Sequence, residues 1–319
     1  MTVKPQDVNI RRVGVVAKRG SREAVRTARE LTEWLQRRDI EVTQDEATLR
    51  ANGGPESLAF NPRESHDLVL VLGGDGTLLA VARSLKEGTP ILGVNLGNLG
   101  FLTEVNRGEL YPSLVRVLEG RFEIEQRSLL GVELERAGGG TTQYRVLNDA
   151  VITKSALARI IELSIHVDGH LVTRYRSDGI IVSTPTGSTA YNLSAGGPVL
   201  NPRLPVALLT PICPHALTLR PLVVPDASLI EITLGTRSEE VYLTLDGQEG
   251  TSLGYRDTVR LTRHPVAVGL VKVAGRSFYD SLRGKLRWGG LSETAEPPMP
   301  SSPREASDQG DQGSESEGA

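Results

Sequence analysis

The chain has 319 residues, a length that exceeds the usual size of one domain and predicts two. A net charge of −3 and an aromatic content of 4% disfavour a nucleic-acid surface, and the one cysteine, Cys213, excludes an intramolecular disulfide. Residues 1–12 lack the apolar core of a signal peptide. The longest apolar stretch, Leu204 to Pro225, is interrupted by prolines, which disfavours a membrane-spanning segment. We therefore expect a cytoplasmic protein without nucleic-acid or membrane partners.

Short apolar runs alternate with helical patterns over the first 122 residues. The predicted strands are 13–17, 41–44, 68–72 and 90–94, and the predicted helices are 21–38, 77–86 and 107–118. The run 68–72 is apolar at every position, which is typical of a strand buried on both faces of a parallel sheet. This alternation predicts a Rossmann-like open α/β domain over residues 1–122.

From residue 123 the pattern changes to strands of alternating hydrophobicity with glycine-rich connections. We predict strands at 123–135, 143–153, 160–167, 180–183, 229–234, 241–245 and 257–262. They indicate an antiparallel β-sandwich-type domain over 123–265. A strand at 266–273 and a helix at 277–286 should return to the first domain, so that 266–290 completes it. Residues 291–319, rich in Pro, Ser, Gly and acidic residues, are predicted to form a disordered tail.

The segment Gly73-Gly74-Asp75-Gly76-Thr77 lies where a buried strand ends and a helix begins. Ligands bind at that edge of an α/β sheet, because the N–H groups at the helix start favour anions. A plain turn capped by aspartate would need only one polar residue, so the three glycines favour a phosphate site. Walker and G-x-G-x-x-G sequences are absent in the required context, which disfavours Walker-type phosphotransferases and Rossmann dehydrogenases.

A second candidate segment is Ser183-Thr-Pro-Thr-Gly-Ser-Thr189, directly after another buried strand. Hydroxyls and free backbone N–H groups together suit phosphate or ribose. The alternative interpretation is an ordinary polar loop. Cys213 is interpreted as a small buried apolar residue.

Together these segments resemble the bacterial ATP-NAD kinase family over about Val13 to Trp288. The matching pieces are GGDGTLL (73–79), NLGNLGFLTE (95–104), LND (147–149), SDGIIVSTPTGSTAYNLSAGGP (177–198) and LDGQEG (245–250). GGDG also occurs in diacylglycerol-kinase-like and phosphofructokinase-like enzymes, whereas STPTGSTAY is specific. The resemblance implies transfer of the γ-phosphoryl group of ATP to the 2′-hydroxyl of the adenosine ribose of NAD, forming NADP. The alternatives are a diacylglycerol-kinase-like lipid kinase and a non-catalytic dinucleotide sensor.

The resemblance also implies roles for individual residues. Asp75 matches the catalytic base, and the ATP-phosphate contacts match Gly73, Gly74, Gly76 and Thr77. The implied NAD contacts are Asp75, Gly76, Phe101, Asn148, Asp149, Arg159, Arg176, Asp178, Thr189, Ala190, Tyr191, Asn192, Ser194, Asp246 and Gln248. No residue is assigned as a metal ligand, although Mg²⁺ is expected with ATP. A homodimer or homotetramer, in which the β-rich domain completes a neighbour's site, is also expected.

Overall fold

The computed structural model describes residues 2–3, 9–97, 100–156, 158–216, 218–237, 240–273 and 275–288. The predicted tail at 291–319 lies outside these residues. None of the described helices is long and apolar enough to cross a membrane.

The first part of the chain builds a parallel sheet flanked by helices. The first strand, β1 (Thr2–Val3), lies outside it and pairs antiparallel with residues 124–125. The strands of the parallel sheet are β2 (Arg12–Ala17), β3 (Glu41–Gln44), β4 (Leu68–Leu72), β5 (Ile91–Asn95) and β6 (Val105–Asn106). Its helices are α1 (Arg22–Gln36), α2 (Glu46–Asn52), α3 (Asp75–Ala82) and α4 (Leu110–Leu118). Strands β3, β2, β4 and β5 pair in parallel in that order, which confirms the predicted α/β architecture.

Local sequence explains why these helices form where they do. Ser21 caps α1 by accepting the N–H of Ala24, and the buried residues of this helix recur at helical spacing. Helix α2 was missed by the periodicity, although Asp45 caps its start and Gly53, at φ +68°, ends it in the left-handed conformation. Those two capping residues were the available sequence signal.

The β-rich part adds twelve strands and two helices to the described chain. The strands are β7 (Glu123–Glu135), β8 (Thr141–Val146), β9 (Asp149–Lys154), β10 (Ile161–Val167), β11 (His170–Ser177), β12 (Gly179–Ser183), β13 (Val206–Ile212), β14 (Leu222–Pro225), β15 (Ile230–Leu234), β16 (Val241–Leu245), β17 (Glu249–Leu253) and β18 (Thr258–Lys272). The helices are α5 (Tyr191–Ser194) and α6 (Phe278–Leu286). Strands β11, β13, β14 and β17 had not been predicted.

Two sheets face each other in this part and enclose one core. An antiparallel sheet runs in the order β14-β13-β12-β9-β16-β17, and the other runs β11-β10-β15-β18 before it continues into the parallel sheet at β5. Alternate side chains of β7, including Leu130, Val132 and Leu134, pack with Val182 of β12 and Leu243 of β16. The sandwich-type prediction is therefore confirmed.

Strand β18 joins the two parts of the fold. It was predicted as two strands, 257–262 and 266–273, but it is continuous, with a register shift against β7 between Arg263 and Ala267. A bulge lets the ladder continue past an unpaired segment. Leu270 near its end pairs in parallel with Ile91 of β5, so the final segment returns to the first part as predicted. The domain boundaries at 122 and 265 stay predictions, since a continuous sheet crosses both.

Two further predictions were wrong. Residues 143–153 do not form one strand, because the chain turns at Leu147 and Asn148 between β8 and β9. Cys213 is exposed rather than buried, and it adopts a left-handed backbone at φ +46° directly after β13. A turn conformation of this kind places the residue at the surface, which single-residue burial preference does not reveal.

Candidate active site

The glycine-rich turn connects β4 to α3 at the carboxyl edge of the parallel sheet. The turn is tight at Gly73, where an added Cβ would lie 2.6 Å from Thr77 Oγ1. It is open at Gly74, where a Cβ would meet no atom within 4 Å. Helix α3 begins at Asp75, so the free N–H groups of its first turn lie beside this open surface. The geometry suits an anionic group approaching Gly74 and Gly76.

The Asp75 carboxylate draws the second glycine-rich segment onto this turn. It accepts backbone N–H groups of Phe101 at 2.7 Å, Leu102 at 3.1 Å and Thr103 at 3.2 Å. Gly100 packs so closely that an added Cβ would lie 1.9 Å from Asp75 Oδ1. Asp75 therefore lies at the junction of the two segments, and its side chain is partly accessible.

We expect Gly100→Ala to disrupt this junction, because the new methyl group occupies the position of the carboxylate. The variant should lose about 1–3 kcal/mol of unfolding free energy, as overpacked sites do, together with catalytic efficiency. Denaturant unfolding and steady-state kinetics measure both effects. Gly108→Ala is the matched control, since a Cβ at Gly108 meets no atom within 4 Å and should change neither quantity. Wild-type behaviour of Gly100→Ala would contradict the described packing.

Asp246 organises a second part of the site from the turn between β16 and β17. Its carboxylate accepts the N–H groups of Leu147 at 3.1 Å, Asn148 at 2.7 Å and Asp149 at 3.2 Å. These bonds hold the turn that separates β8 from β9. Asn148 Oδ1 is buried and has no hydrogen-bond partner among the described residues, as expected for an atom that awaits a ligand.

Two buried carboxyl groups lie side by side here. Asp149 is only 4% exposed, and burial together with the neighbouring charge of Asp246 raises its pKa to about 7. Burial also raises the pKa of Asp246, while the three N–H groups and Arg83 act in the opposite direction. Of the two carboxyl groups, Asp149 is therefore the one whose pKa lies near neutral pH.

Gln248 connects this part of the site to the glycine-rich turn. Its Nε2 donates to the carbonyl oxygen of Gly76 at 2.5 Å, and its Oε1 accepts from Arg83 Nη2 at 3.1 Å. Arg83 had not been singled out in the sequence, because it belongs to no motif. The contacts bring together Gly73–Thr77, Phe101, Asn148, Asp149, Asp246 and Gln248.

The hydroxyl-rich loop packs against the same turn. Thr184 donates its N–H to Asn148 O at 2.8 Å and its hydroxyl to Leu147 O at 2.6 Å. Gly187 approaches so closely that a Cβ would lie 2.2 Å from Asn148 O. The hydroxyls of Ser183 and Ser188 also bond protein carbonyls, so these side chains fold the loop rather than face a ligand. The loop thereby orients the segment that follows it.

The segment 189–194 contains five of the predicted NAD contacts. Thr189 and Ala190 are partly buried, whereas Tyr191 and Ser194 are exposed. The side chain of Asn192 is fully buried; it donates to Ser188 O at 3.0 Å and Pro198 O at 3.1 Å. Asn192 therefore fixes the two ends of the segment, and Tyr191 presents its ring outward.

Three predicted residues lie elsewhere on the molecule. Strands β9 and β12 pair Asp149 with Ser183 at one end and Thr153 with Gly179 at the other. Asp178 precedes Gly179 and lies 3.4 Å from Lys154, roughly 17 Å along the strands from Asp149. Arg159 and Arg176 line a separate cavity of about 490 Å³. The structure does not bring these three residues to Asp75 within one copy of the chain.

A buried ion pair beneath the hydroxyl-rich loop was also missed. Arg127 Nη2 bonds Glu125 Oε2 at 2.9 Å, and Arg127 Nη1 reaches Thr186 Oγ1 at 3.4 Å. Burial acts to raise the pKa of Glu125, but Arg127 holds it below its ordinary value. Glu125 and Arg127 are two residues apart in β7, so both side chains point to its inward face. That spacing of opposite charges was the available sequence signal.

The fold and the site define a nucleotide-binding phosphotransferase, with a glycine-rich strand-to-helix turn, a carboxylate at the helix start and an adjoining β-sandwich. The model of the ATP-NAD kinase N-terminal domain matches residues 13–122, and that of the C-terminal domain matches residues 147–273. The chain belongs to the NAD kinase family, which decides against a lipid kinase.

Similar proteins support this membership. The NAD kinase of Solibacter usitatus is 46% identical over 285 residues, covering 88% of this chain and 98% of that protein. The NAD kinase of Geobacter sulfurreducens is 43% identical over 284 residues, covering 88% and 99%. The structure of an NAD kinase from Archaeoglobus fulgidus in complex with ATP superposes with a TM-score of 0.67 at 28% identity, covering 86% and 98%. A yeast NADH kinase complexed with NADH shares the fold, with a TM-score of 0.83, 24% identity and 90% of each chain covered.

Proposed function

We propose that this NAD kinase uses Asp75 as the base for the transfer of the γ-phosphoryl group of ATP to the 2′-hydroxyl of the adenosine ribose of NAD. The observation that carries the proposal is the contact network around α3. Asp75 binds the 101–103 backbone, Gln248 binds Gly76, and Asp246 binds the 147–149 turn. All the connected segments belong to those that match the NAD kinase family.

The proposed chemistry depends on position more than on base strength. The 2′-oxygen forms a bond to the γ-phosphorus as the bond from that phosphorus to the β-phosphate oxygen breaks, and ADP leaves. Asp75 receives the proton of the 2′-hydroxyl. A carboxylate is a weak base toward an alcohol, so its larger contribution is to hold the hydroxyl in line for attack. Gly73, Gly74, Gly76 and Thr77 are proposed to contact the ATP phosphates.

Mg²⁺ is proposed to accompany ATP. The described residues contain no group of three or more His, Cys, Asp or Glu side chains that could hold a metal. Mg²⁺ commonly needs only one or two carboxylates besides substrate phosphates and water, so the Asp75 carboxylate at the turn fits this donor set. The ion would neutralise phosphate charge, while the protein orients the two substrates.

The NAD site is proposed to include Phe101, Asn148, Asp149, Thr189, Ala190, Tyr191, Asn192, Ser194, Asp246 and Gln248. Asn148 supports this assignment most directly, because its buried Oδ1 has no hydrogen-bond partner in the part of the chain that the structure describes. A thermal-shift comparison tests the acceptor class. NAD should raise the melting temperature by mass action, whereas diacylglycerol and sphingosine should not. Stabilisation by a lipid alone would contradict the assignment.

Tyr191→Ala is expected to weaken NAD binding about ten- to a hundredfold. The Tyr191 ring is 46% exposed and free to stack on a base, and such stacking is worth ~1–3 kcal/mol. ATP affinity should change much less, because the donor phosphates are assigned to the glycine-rich turn. Calorimetry with each nucleotide measures the difference, and Tyr279→Ala, at another exposed tyrosine, serves as the control. Equal losses of affinity for NAD and ATP would mean that Tyr191 supports the fold in general and does not contact NAD specifically.

A homo-oligomer is proposed to account for Arg159, Arg176 and Asp178. These residues lie away from Asp75, so they would contact its NAD only from a neighbouring copy. Mixing inactive Asp75→Asn chains with inactive Arg176→Ala chains should restore activity, because some mixed sites have both intact residues. Sedimentation as a monomer, or no restoration on mixing, would contradict this arrangement. A cytoplasmic location is also proposed, since a single cysteine gives no indication of a disulfide-forming compartment.

A further inference from the structure

Arg83 lies directly after α3 and reaches the turn between β16 and β17. Its side chain is 13% exposed. Nη2 donates to Gln248 Oε1 at 3.1 Å, Nη1 lies 3.2 Å from Glu249 Oε2, and Nε lies 3.7 Å from Asp246 Oδ2. One guanidinium therefore faces three polar side chains, Asp246, Gln248 and Glu249, around a single turn.

Two of these partners hold proposed NAD-binding segments. Asp246 accepts the N–H groups of Leu147, Asn148 and Asp149, and Gln248 donates to Gly76 O. Arg83 belongs to the same helical segment whose first residue is Asp75. A displacement of Arg83 would therefore change the position of Asn148 and Asp149 relative to the reacting end of the helix.

Charge gives Arg83 a second role at this position. Asp149 from β9 and Asp246 are buried side by side, and Glu249 faces the guanidinium from the exposed side of the turn. Of the described residues, Arg83 is the cation that lies against Asp246. A cation here favours the ionised form of Asp246, and an ionised carboxylate accepts the three N–H groups more strongly than a protonated one.

We propose that Arg83 is a positioning residue of the kinase, which holds the Asp246–Gln248 turn on α3 and places a positive charge against the Asp246 carboxylate that supports the NAD-binding turn. This inference rests on the proposed NAD site. A planar guanidinium turns a different nitrogen toward each side chain: Nη2 bonds Gln248, Nη1 pairs with Glu249, and Nε lies 3.7 Å from Asp246 in a purely ionic contact. A lysine ammonium would reach fewer of them.

The backbone at Arg83 has separate support. Arg145 of β8 donates from Nε to Arg83 O at 2.6 Å and from Nη2 to Leu85 O at 2.7 Å. Substitution of the Arg83 side chain therefore leaves the end of α3 attached to the strand that leads into Leu147. A side-chain variant should fold, which makes its kinetics interpretable.

The test compares wild type, Arg83→Met and Arg83→Lys in NADP formation as a function of pH. Arg83→Met should raise KM for NAD about tenfold, the equivalent of one lost hydrogen bond to a charged group. Its acid limb of kcat/KM should move up by about one pH unit, because a cation within 4–6 Å lowers a carboxyl pKa by at least that much. Arg83→Lys should keep the acid limb and still raise KM.

Arg63→Met is the matched control, because Arg63 lines the same 970 Å³ cavity as Arg83 and its loss changes the net charge equally. This variant should match wild type. An unmoved acid limb in Arg83→Met, with or without a lower melting temperature, would overturn the inference. If Arg83→Met does not fold, wild-type KM in Arg83→Lys overturns it instead. Failure of the wild type to form NADP would count against the proposed function, not against Arg83 alone.

Discussion

Asp75→Asn is expected to lower kcat for NADP formation by roughly 10²–10⁴-fold, the range for loss of a general acid–base group. The substitution preserves the size of the side chain and removes its charge. NAD should still bind, because the other proposed contacts remain. Steady-state kinetics and calorimetry with NAD measure the two quantities separately.

The structure adds a second consequence of this substitution. The Asp75 carboxylate accepts three backbone N–H groups from residues 101–103, and an amide would turn its own donor toward at least one of them. Unfolding free energy should therefore fall by about 1–3 kcal/mol. Asp280→Asn is the control for replacing a carboxylate by an amide at a helix start. Asp280, in the first turn of α6, also accepts N–H and hydroxyl groups. Near wild-type kcat in Asp75→Asn would remove Asp75 from the catalytic role.

Arg127→Met is expected to cost about 3–5 kcal/mol of unfolding free energy. The variant removes the buried cation that bonds the Glu125 carboxylate at 2.9 Å, and loss of the close partner of a buried charge is strongly destabilising. Arg203 remains 3.5 Å away, but its side chain is mostly exposed and compensates less. Arg26→Met is a control, since Arg26 and Glu30 form an exposed pair that should contribute less than about 1 kcal/mol. Urea unfolding at neutral pH measures the difference.

The pH dependence of the Arg127→Met penalty follows from the same charges. In wild type the pKa of Glu125 is lowered, so the pair stabilises the fold above the unfolded pKa and this stability is lost on acidification. Without Arg127, burial acts with less opposition and raises that pKa. The penalty should therefore shrink as acid protonates Glu125, and the double variant Glu125→Leu/Arg127→Met should recover much of it. A small penalty that is independent of pH would contradict this explanation.

Sequence patterns predicted the elements whose causes are local. Leu68–Leu72 has the predicted bounds because every side chain is buried, and Ser21 marks the start of α1 by capping it. The break at Leu147 and Asn148 was missed because its cause is Asp246, a carboxylate about 98 residues away in the chain. The continuity of β18 was likewise hidden, since pairing with β7 carries it past Pro265.

In the candidate site, too, sequence patterns predicted the local motifs and missed the residues that depend on distant partners. The glycine-rich turn and the segment 189–194 were found because the residues that define each motif are consecutive. Arg83 and Arg127 were missed because each acts through partners that only the fold brings near. A match to a family motif also does not reveal whether its residues meet in one copy of the chain, as the positions of Arg159, Arg176 and Asp178 show.

The most direct test of the account is product formation by the purified chain with NAD, ATP and Mg²⁺. An NADP-specific dehydrogenase detects the product, and ADP is measured in the same reaction. We predict that NADP and ADP appear in equal amounts with the wild type and that both nearly disappear with Asp75→Asn. Tight NAD binding without NADP formation would instead identify a dinucleotide sensor and contradict the account.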